Sequence, residues 1–439
     1  MLRIAHQWTL SGIRRASTIL VGKRAPFLVY GIACLACCAF AQDDQASTGA
    51  NRAAPASATR AGEIEAERQR KAASLQPEKV KPAERVLNRI EQNEIVERLT
   101  CQVTGLCVRF GGLITYSGFA LGPEYTNHGL LGGAATFSTS FVGSVHEFYR
   151  ADAHLNMPQL YDGFAFLDLD AEHLYYPRVD YYGSGPDSRK SGRTAYLLEQ
   201  SAFQVSPGIR PIDHLRIGAL GRYLLTNIGF TNDSRFAPTQ EVFTEQTTPG
   251  LFAPTDFVQA GAWVQYDTRD NPGGPRSGGN YFAQYARFQD VLRDQFSFNR
   301  VDLEVQRYIG FFNHRRVIAL RSRVQATQAV SGNQVPFYEQ PTLGGPDDLR
   351  GFRAFRFYGN ASFVNNAEYR WEVFSGLDMA LFVDAGQVYN DWHQVGFRHL
   401  QTDGGFGFRF NVRNNVFLRI DTGISAEGVY VWFKFGNVF

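Results

Sequence analysis

The chain has 439 residues, with 44 Lys and Arg against 42 Asp and Glu, 43 Gly, and an aromatic complement of 36 Phe, 20 Tyr and 5 Trp. A formal net charge of +2 supplies no field to concentrate nucleic acid, and no helix carries a basic stripe, so nucleic-acid binding is excluded as a working reading. These averages conceal three unlike segments.

Residues 1–41 carry Arg3, Arg14, Arg15, Lys23 and Arg24, no acid, and then an apolar run from Pro26 to Ala41. The run is too short and too interrupted for a membrane-crossing helix, which needs about 20 apolar residues. A basic start, an apolar middle and Ala39-Phe40-Ala41 before Gln42 read as a cleaved secretory signal. An organellar transit peptide stays open, and Leu35-Ala36-Cys37 makes a poor lipobox. Without the segment, the remainder of the chain carries a small net negative charge.

Residues 42–100 contain no aromatic residue. A stretch with so little to bury cannot offset its ordering entropy, so most of it reads as a periplasmic linker. Over 83–99 the apolar residues Val86, Leu87, Ile90, Val96 and Leu99 recur near helical spacing, which predicts an amphipathic helix.

Residues 101–439 alternate. Val429, Val431, Phe433 and Phe435 share one face of the last strand, opposite Tyr430, Trp432 and Lys434; Phe406, Phe408 and Phe410 oppose Gly407, Arg409 and Asn411. Alternation alone also suits a soluble sandwich. Segments of about ten residues, the span of a tilted transmembrane strand, favour instead an all-β, antiparallel transmembrane β-barrel of about 16 strands. Apolar residues then face lipid, Arg and Asp face a hydrated lumen, and closure removes unpaired edges. Counted backwards from a periplasmic Phe439, short turns and longer segments alternate, the longest being Ser331–Gly359 between the eleventh and twelfth strands. An even count puts both ends in the periplasm.

Two motifs narrow the class. Gly344-Gly345-Pro346-Asp347-Asp348-Leu349-Arg350-Gly351-Phe352 resembles the RGF/RGY tip of the sixth extracellular loop in the BamA/TamA (bacterial surface antigen) superfamily. Asp267-Thr268-Arg269-Asp270-Asn271-Pro272 resembles that family's periplasmic turn, and Phe382-Val383-Asp384-Ala385-Gly386 its thirteenth strand. The resemblance implies a loop folded back into the lumen, where Arg350 meets inward-facing acids. Strand parity supplies them: Glu368, opposite Tyr369 and Trp371, and Asp384, opposite Val383 and Ala385. Buried carboxylates tolerate and fix a guanidinium through bidentate bonds. Gly351 is expected to let the tip turn and Phe352 to pack on the wall. Phe439 reads as a C-terminal barrel-assembly signal.

The family's assembly and secretion members carry periplasmic POTRA domains, for which 42–100 lacks strands and aromatics; the resemblance is to a POTRA-less barrel, with the 83–99 helix free to plug it or dock a partner. It implies an integral outer-membrane protein that works in assembly, insertion or translocation of other proteins. Its expected partners are outer-membrane lipid, the barrel-assembly machinery for its own insertion, and a POTRA-bearing or client protein. Two alternatives stand beside this: a passive channel, whose wet lumen Arg321, Arg323, Arg409 and Asp421 would line, and a structural surface-antigen barrel. No nucleotide loop, metal spacing or Ser/His/Asp order is visible, so no cofactor, metal or enzymatic activity is expected. Cys101 and Cys107 form an even pair in an oxidising compartment, able to close a small disulfide loop.

Overall fold

The computed structural model describes residues 60–74 and 104–439, apart from 112, 115, 399, 413–414 and 436–438. The signal segment, the 83–99 helix and Cys101 lie outside the described residues. Helix α1 spans Arg60–Ser74, inside the stretch read above as linker. Its sequence, RAGEIEAERQRKAAS, combines strong helix formers with an i,i+4 pair, Lys71 to Glu67 at 3.1 Å. Local propensity and side-chain pairing therefore make a helix that has no apolar stripe to bury, a possibility that a search for periodic burial overlooks.

The remainder is one antiparallel sheet. Its first half comprises β1 (Gly105–Gly111), β2 (Ala120–Leu130), β3 (Ala135–Ser144), β4 (Tyr149–Leu160), β5 (Ala165–Tyr181), β6 (Thr194–Ile212), β7 (Leu215–Phe230) and β8 (Thr255–Asp267). Then come β9 (Gly278–Asp290), β10 (Phe298–Phe311), β11 (Arg316–Ala329), β14 (Ala361–Phe374), β15 (Leu377–Tyr389), β16 (Gln401–Val412), β17 (Asn415–Ser425) and β18 (Gly428–Phe435). Only β12 (Thr342–Leu343) and β13 (Phe357–Tyr358) stand apart, as a two-residue ladder within the β11–β14 loop. The 16-stranded sheet follows sequence order throughout. Its ends come together where Phe110 of β1 meets Phe435 of β18, ring centroids 5.1 Å apart, making a nearly closed barrel.

Parity sorts the two faces. On β18 Val429 and Phe433 are 61% and 68% exposed, whereas on β17 Arg419 and Asp421 are almost completely buried. An apolar exterior around a charged interior inverts the soluble arrangement and fits hydrocarbon outside. Most inner connections are tight: Asp213-His214 turns β6 into β7, with His214 at φ 66°, and Ser375-Gly376 turns β14 into β15, with Gly376 at φ 91°. The two longest outer connections, at 231–254 and 330–360, pack together. Tyr181 makes edge contacts with Phe243, Phe337 and Tyr358 at 4.9–5.0 Å, in a cluster that includes Tyr196 and Leu251. Strands β5 to β7 run 16–19 residues, longer than the ten expected, and their outer ends carry this cap.

Candidate functional site

The β11–β14 loop enters the lumen and ends on the wall opposite the long strands. Gly344 and Gly345, at φ 112° and 100°, make its reversal, a conformation that costs little only without a Cβ. Gly351 has another role: a Cβ there would lie 2.4 Å from that of Asp403 and 2.9 Å from that of Ser425, so glycine is needed for close approach to β16 and β17. Phe352 is buried with Leu343, Leu349, Phe357, Val364 and Val388, the last two on β14 and β15.

Arg350 lies at the centre. Its Nε and Nη2 donate to the two oxygens of Asp384 on β15, each at 2.7 Å, and Nη1 donates to Glu368 on β14. Its guanidinium sits 3.4 Å from the centroid of the Phe382 ring. All three charged side chains are fully buried. Burial alone would ease the proton off Arg350, but the carboxylates of Asp384 and Glu368 outweigh it and the guanidinium is held charged.

The cluster extends beyond these three. Glu368 also accepts from Arg370 at 2.7 Å and from Arg409 of β16 at 3.0 Å, and Arg409 donates to Asp421 of β17 at 2.6 Å. On the loop itself, Asp347 accepts from Arg419 at 2.5 Å and from Lys434 of β18 at 2.9 Å. Burial raises the Asp347 pKa, yet Lys434 and Arg419 more than compensate and hold its carboxyl below the usual range. Trp432 of β18 donates its indole N–H to the Arg350 carbonyl at 2.7 Å. The loop tip is thus tied to every strand from β14 to β18. Arg321, Arg409 and Asp421, read from sequence as lining a wet lumen, are instead consumed in this packing: Arg321 donates to Glu304 at 2.9 Å and to the Asp347 carbonyl at 2.7 Å.

The other sequence motif lies at the inner mouth. Arg269 grips Asp267 with two bonds of 2.9 and 2.7 Å, and Asp270 accepts from the backbone N–H groups of Asn271, Arg276 and Ser277 at 2.9–3.2 Å. Pro272 follows in this turn. The braced turn reaches sideways to other turns. Asn271 donates to the Asn415 side chain at 3.1 Å, Val416 N–H donates to the Gly273 carbonyl at 2.9 Å, and Nη2 of Arg276 donates to both carboxylate oxygens of Asp378 at 3.1 and 2.9 Å. The turn between β8 and β9 therefore touches those before β15 and β17, four and six strands away in sheet order.

The seam is the remaining feature. Every neighbouring pair in the sheet has a hydrogen-bonded ladder, but among the described residues none joins β1 to β18. These are also the shortest strands of the barrel, at seven and eight residues. Cys107 on β1 is disulfide-bonded.

Other expected positions differ. Phe439 is buried against Tyr308, Val317 and Ala319, on the lumenal side of β10 and β11, rather than continuing the exposed row of Phe433 and Phe435. An aromatic read as an assembly signal is therefore hidden in the folded barrel. A Ser–His pair, missed in the sequence, exists: His173 of β5 and Ser201 of β6 are hydrogen-bonded at 2.8 Å on the side that also presents Phe203. Its strands' N–H groups are committed to ladders on both sides, leaving no donors to hold an oxyanion, and the pair reads as a polar contact beside Tyr149. Among the described residues no group of three or more His, Cys, Asp and Glu side chains is placed to hold a metal ion.

Comparison with known proteins converges on these features. The model of the Omp85 superfamily domain matches residues 232–423, which contain the turn between β8 and β9, the lumenal loop, Glu368, Asp384 and Asp421. BamA from Haemophilus ducreyi, in a structure lacking POTRA domains 1–3, superposes with a TM-score of 0.55 at 16% identity, over 76% of this chain and 68% of that one. CdiB from Escherichia coli superposes with a TM-score of 0.51 at 13% identity, over 75% of this chain and 61% of that one. The chain thus spans about three fifths of the CdiB it matches. At these identities the likeness is one of fold.

Proposed function

We propose that this chain, a BamA/TamA-like barrel whose residues 232–423 match the Omp85 superfamily domain, works at the bacterial outer membrane in the assembly, insertion or translocation of other polypeptides. The observation that carries the reading is the β1–β18 seam: two short strands meet through Phe110 and Phe435 with no ladder between them among the described residues, while all other neighbours are paired. Unpaired backbone N–H and C=O groups cost several kcal/mol in hydrocarbon, so such an edge is a site where an incoming strand gains hydrogen bonds that lipid cannot offer. The brace around Arg350 complements it. By tying the loop to β14 through β18, it keeps one side of the seam rigid while β1 remains free to part.

The outer-membrane location, a periplasmic N-terminal segment and a POTRA-bearing or client partner belong to the same proposal, as does a non-enzymatic role. A passive channel is less well supported, because the loop crosses the lumen and the 268–277 turn reaches across the inner mouth. The test is to reconstitute the protein in liposomes and time the folding of an unfolded eight-stranded barrel added from outside. Cysteines replacing Phe110 and Phe435, joined by a short bis-maleimide, should abolish an acceleration that the uncross-linked variant retains. Equal acceleration with the seam locked removes the proposal.

A further inference from the structure

The tip of the loop packs against the β14 to β18 side of the lumen. Opposite it, on the inner faces of β5 to β10, is a cavity of about 380 Å³ lined by residues that include Arg216, Arg222, Gln259, Trp263, Gln284 and Arg300. That volume lies in the range of small-molecule sites. The wall also carries Asp168 and Asp302, and Arg216 and Arg300 lie 3.8 and 3.6 Å from the carboxylates of Asp168 and Glu339, so the cation without an acid partner there is Arg222.

The bonding of these side chains is incomplete. Arg222 has no hydrogen bond or ion pair to any described residue, and the only charge it is seen to influence is the Glu339 carboxylate above it. In the ladders it stands between Gln204 of β6 and Gln259 of β8, so the cation is flanked by amides. Gln259 is buried, yet its Oε1 accepts nothing; Arg216 and Arg300 also keep Nε groups without acceptors. Trp263 donates its N–H to Ser206 at 3.2 Å, and its ring lies over Gly218 of β7, where a Cβ would meet it at 2.5 Å. Buried polar groups without partners are uncommon, and several facing one cavity mark a place where a ligand supplies the missing bonds. Surplus guanidinium N–H groups ask for an anion, amides take hydroxyl groups as both donor and acceptor, and an indole offers a flat apolar platform.

We propose that this half of the lumen is a binding site for a small anionic saccharide, its carboxylate or phosphate on Arg222 and its hydroxyl groups on Gln204, Gln259 and Gln284. The site is separate from the seam and does not depend on the function proposed above.

Isothermal titration of the detergent-solubilised full chain with digalacturonate, an uncharged disaccharide and triglutamate tests it. Saturable binding of digalacturonate is expected, weakened at least tenfold by Arg222→Ala and partly restored by Arg222→Lys, with no binding of the uncharged sugar. Gln259→Leu, which changes no charge, should also weaken it, and heat-modifiable migration on gels verifies that each variant is a folded barrel. Absence of digalacturonate binding, affinity indifferent to both substitutions, or tighter binding of triglutamate would overturn the proposal, the last by making the site one for acidic polypeptide.

Discussion

Arg350 and Asp384 face each other through two parallel hydrogen bonds of 2.7 Å, with neither side chain accessible to solvent. A pair buried in this way contributes little net stability when whole, because desolvation offsets attraction, but removing one partner strands a buried charge at a cost of about 3–5 kcal/mol. Arg350→Ala leaves Asp384 and Glu368 together with one fewer cation. It should lower the urea midpoint of the refolded barrel and release the loop tip to protease. Arg350→Lys keeps the charge but not the fork, and should recover only part of the loss. A midpoint unchanged in Arg350→Ala would mean that Arg370 and Arg409 satisfy both carboxylates.

The inner mouth gives a conductance prediction. Arg276 bonds both carboxylate oxygens of Asp378 through Nη2 and the His314 carbonyl through Nη1 at 2.8 Å, and Asn271 reaches Asn415. If these contacts hold the turn across the opening, Arg276→Ala combined with Asn271→Ala should raise single-channel conductance in planar bilayers. Asp378→Asn should reproduce the effect of Arg276→Ala, and the two together should add little, as expected for partners in one contact. Conductance equal to that of the unaltered chain in all variants would show that the turn does not obstruct the mouth.

The same turn sets a pH dependence. Burial raises the Asp270 pKa, but the N–H groups of Arg276, Ser277 and Asn271 outweigh it, and the carboxyl is held below its usual value. The stability this contributes is complete above the unfolded pKa of about 3.9 and is lost as pH falls through the lower folded value. The turn should therefore keep its structure at pH 5 and loosen below about pH 4. Asp270→Asn should lose most of the contribution at every pH, roughly 1 kcal/mol for so exposed a group. Spin labels at the turn, read by their mobility from pH 7 to 3, would show whether the transition disappears in Asp270→Asn.

Much of this was legible in the sequence because a barrel repeats one simple rule. Alternation of Val429, Val431, Phe433 and Phe435 against Trp432 and Lys434 assigns the lipid face without knowledge of any contact. The partners of Arg350 were likewise accessible through parity. Parity says which way a side chain points but not what meets it there, and so Arg409 and Asp421 were read as wetted when the loop covers them. Arg409 meets Glu368 only because two adjacent ladders set β14, β15 and β16 in register. The pairing of His173 with Ser201 is hidden for the same reason, 28 residues apart in sequence but opposite in the β5–β6 ladder. Phe439 packs against Tyr308, Val317 and Ala319 of β10 and β11, neighbours far away in sequence that no local alternation identifies.

Gly423 offers a way to move the loop without touching a charge. A Cβ at this β17 position would lie 2.3 Å from both the carbonyl carbon and oxygen of Arg350 and 2.6 Å from the Gly351 nitrogen. These are backbone atoms, so no side-chain rotation relieves the clash, and the tip must withdraw. Gly423→Ala should cost about 1–3 kcal/mol, the usual range for overpacking. It should also break the Trp432 bond to the Arg350 carbonyl, a contact that depends on the tip's position. Gly221→Ala is the control, since a Cβ there meets nothing within 4 Å. Tryptophan fluorescence should shift in Gly423→Ala and not in Gly221→Ala, and the shift should vanish when Trp432 is replaced by Phe in both backgrounds. If Gly423→Ala leaves emission and urea midpoint unchanged, the loop tip does not sit against β17, and the brace that ties it to the seam strand goes with it.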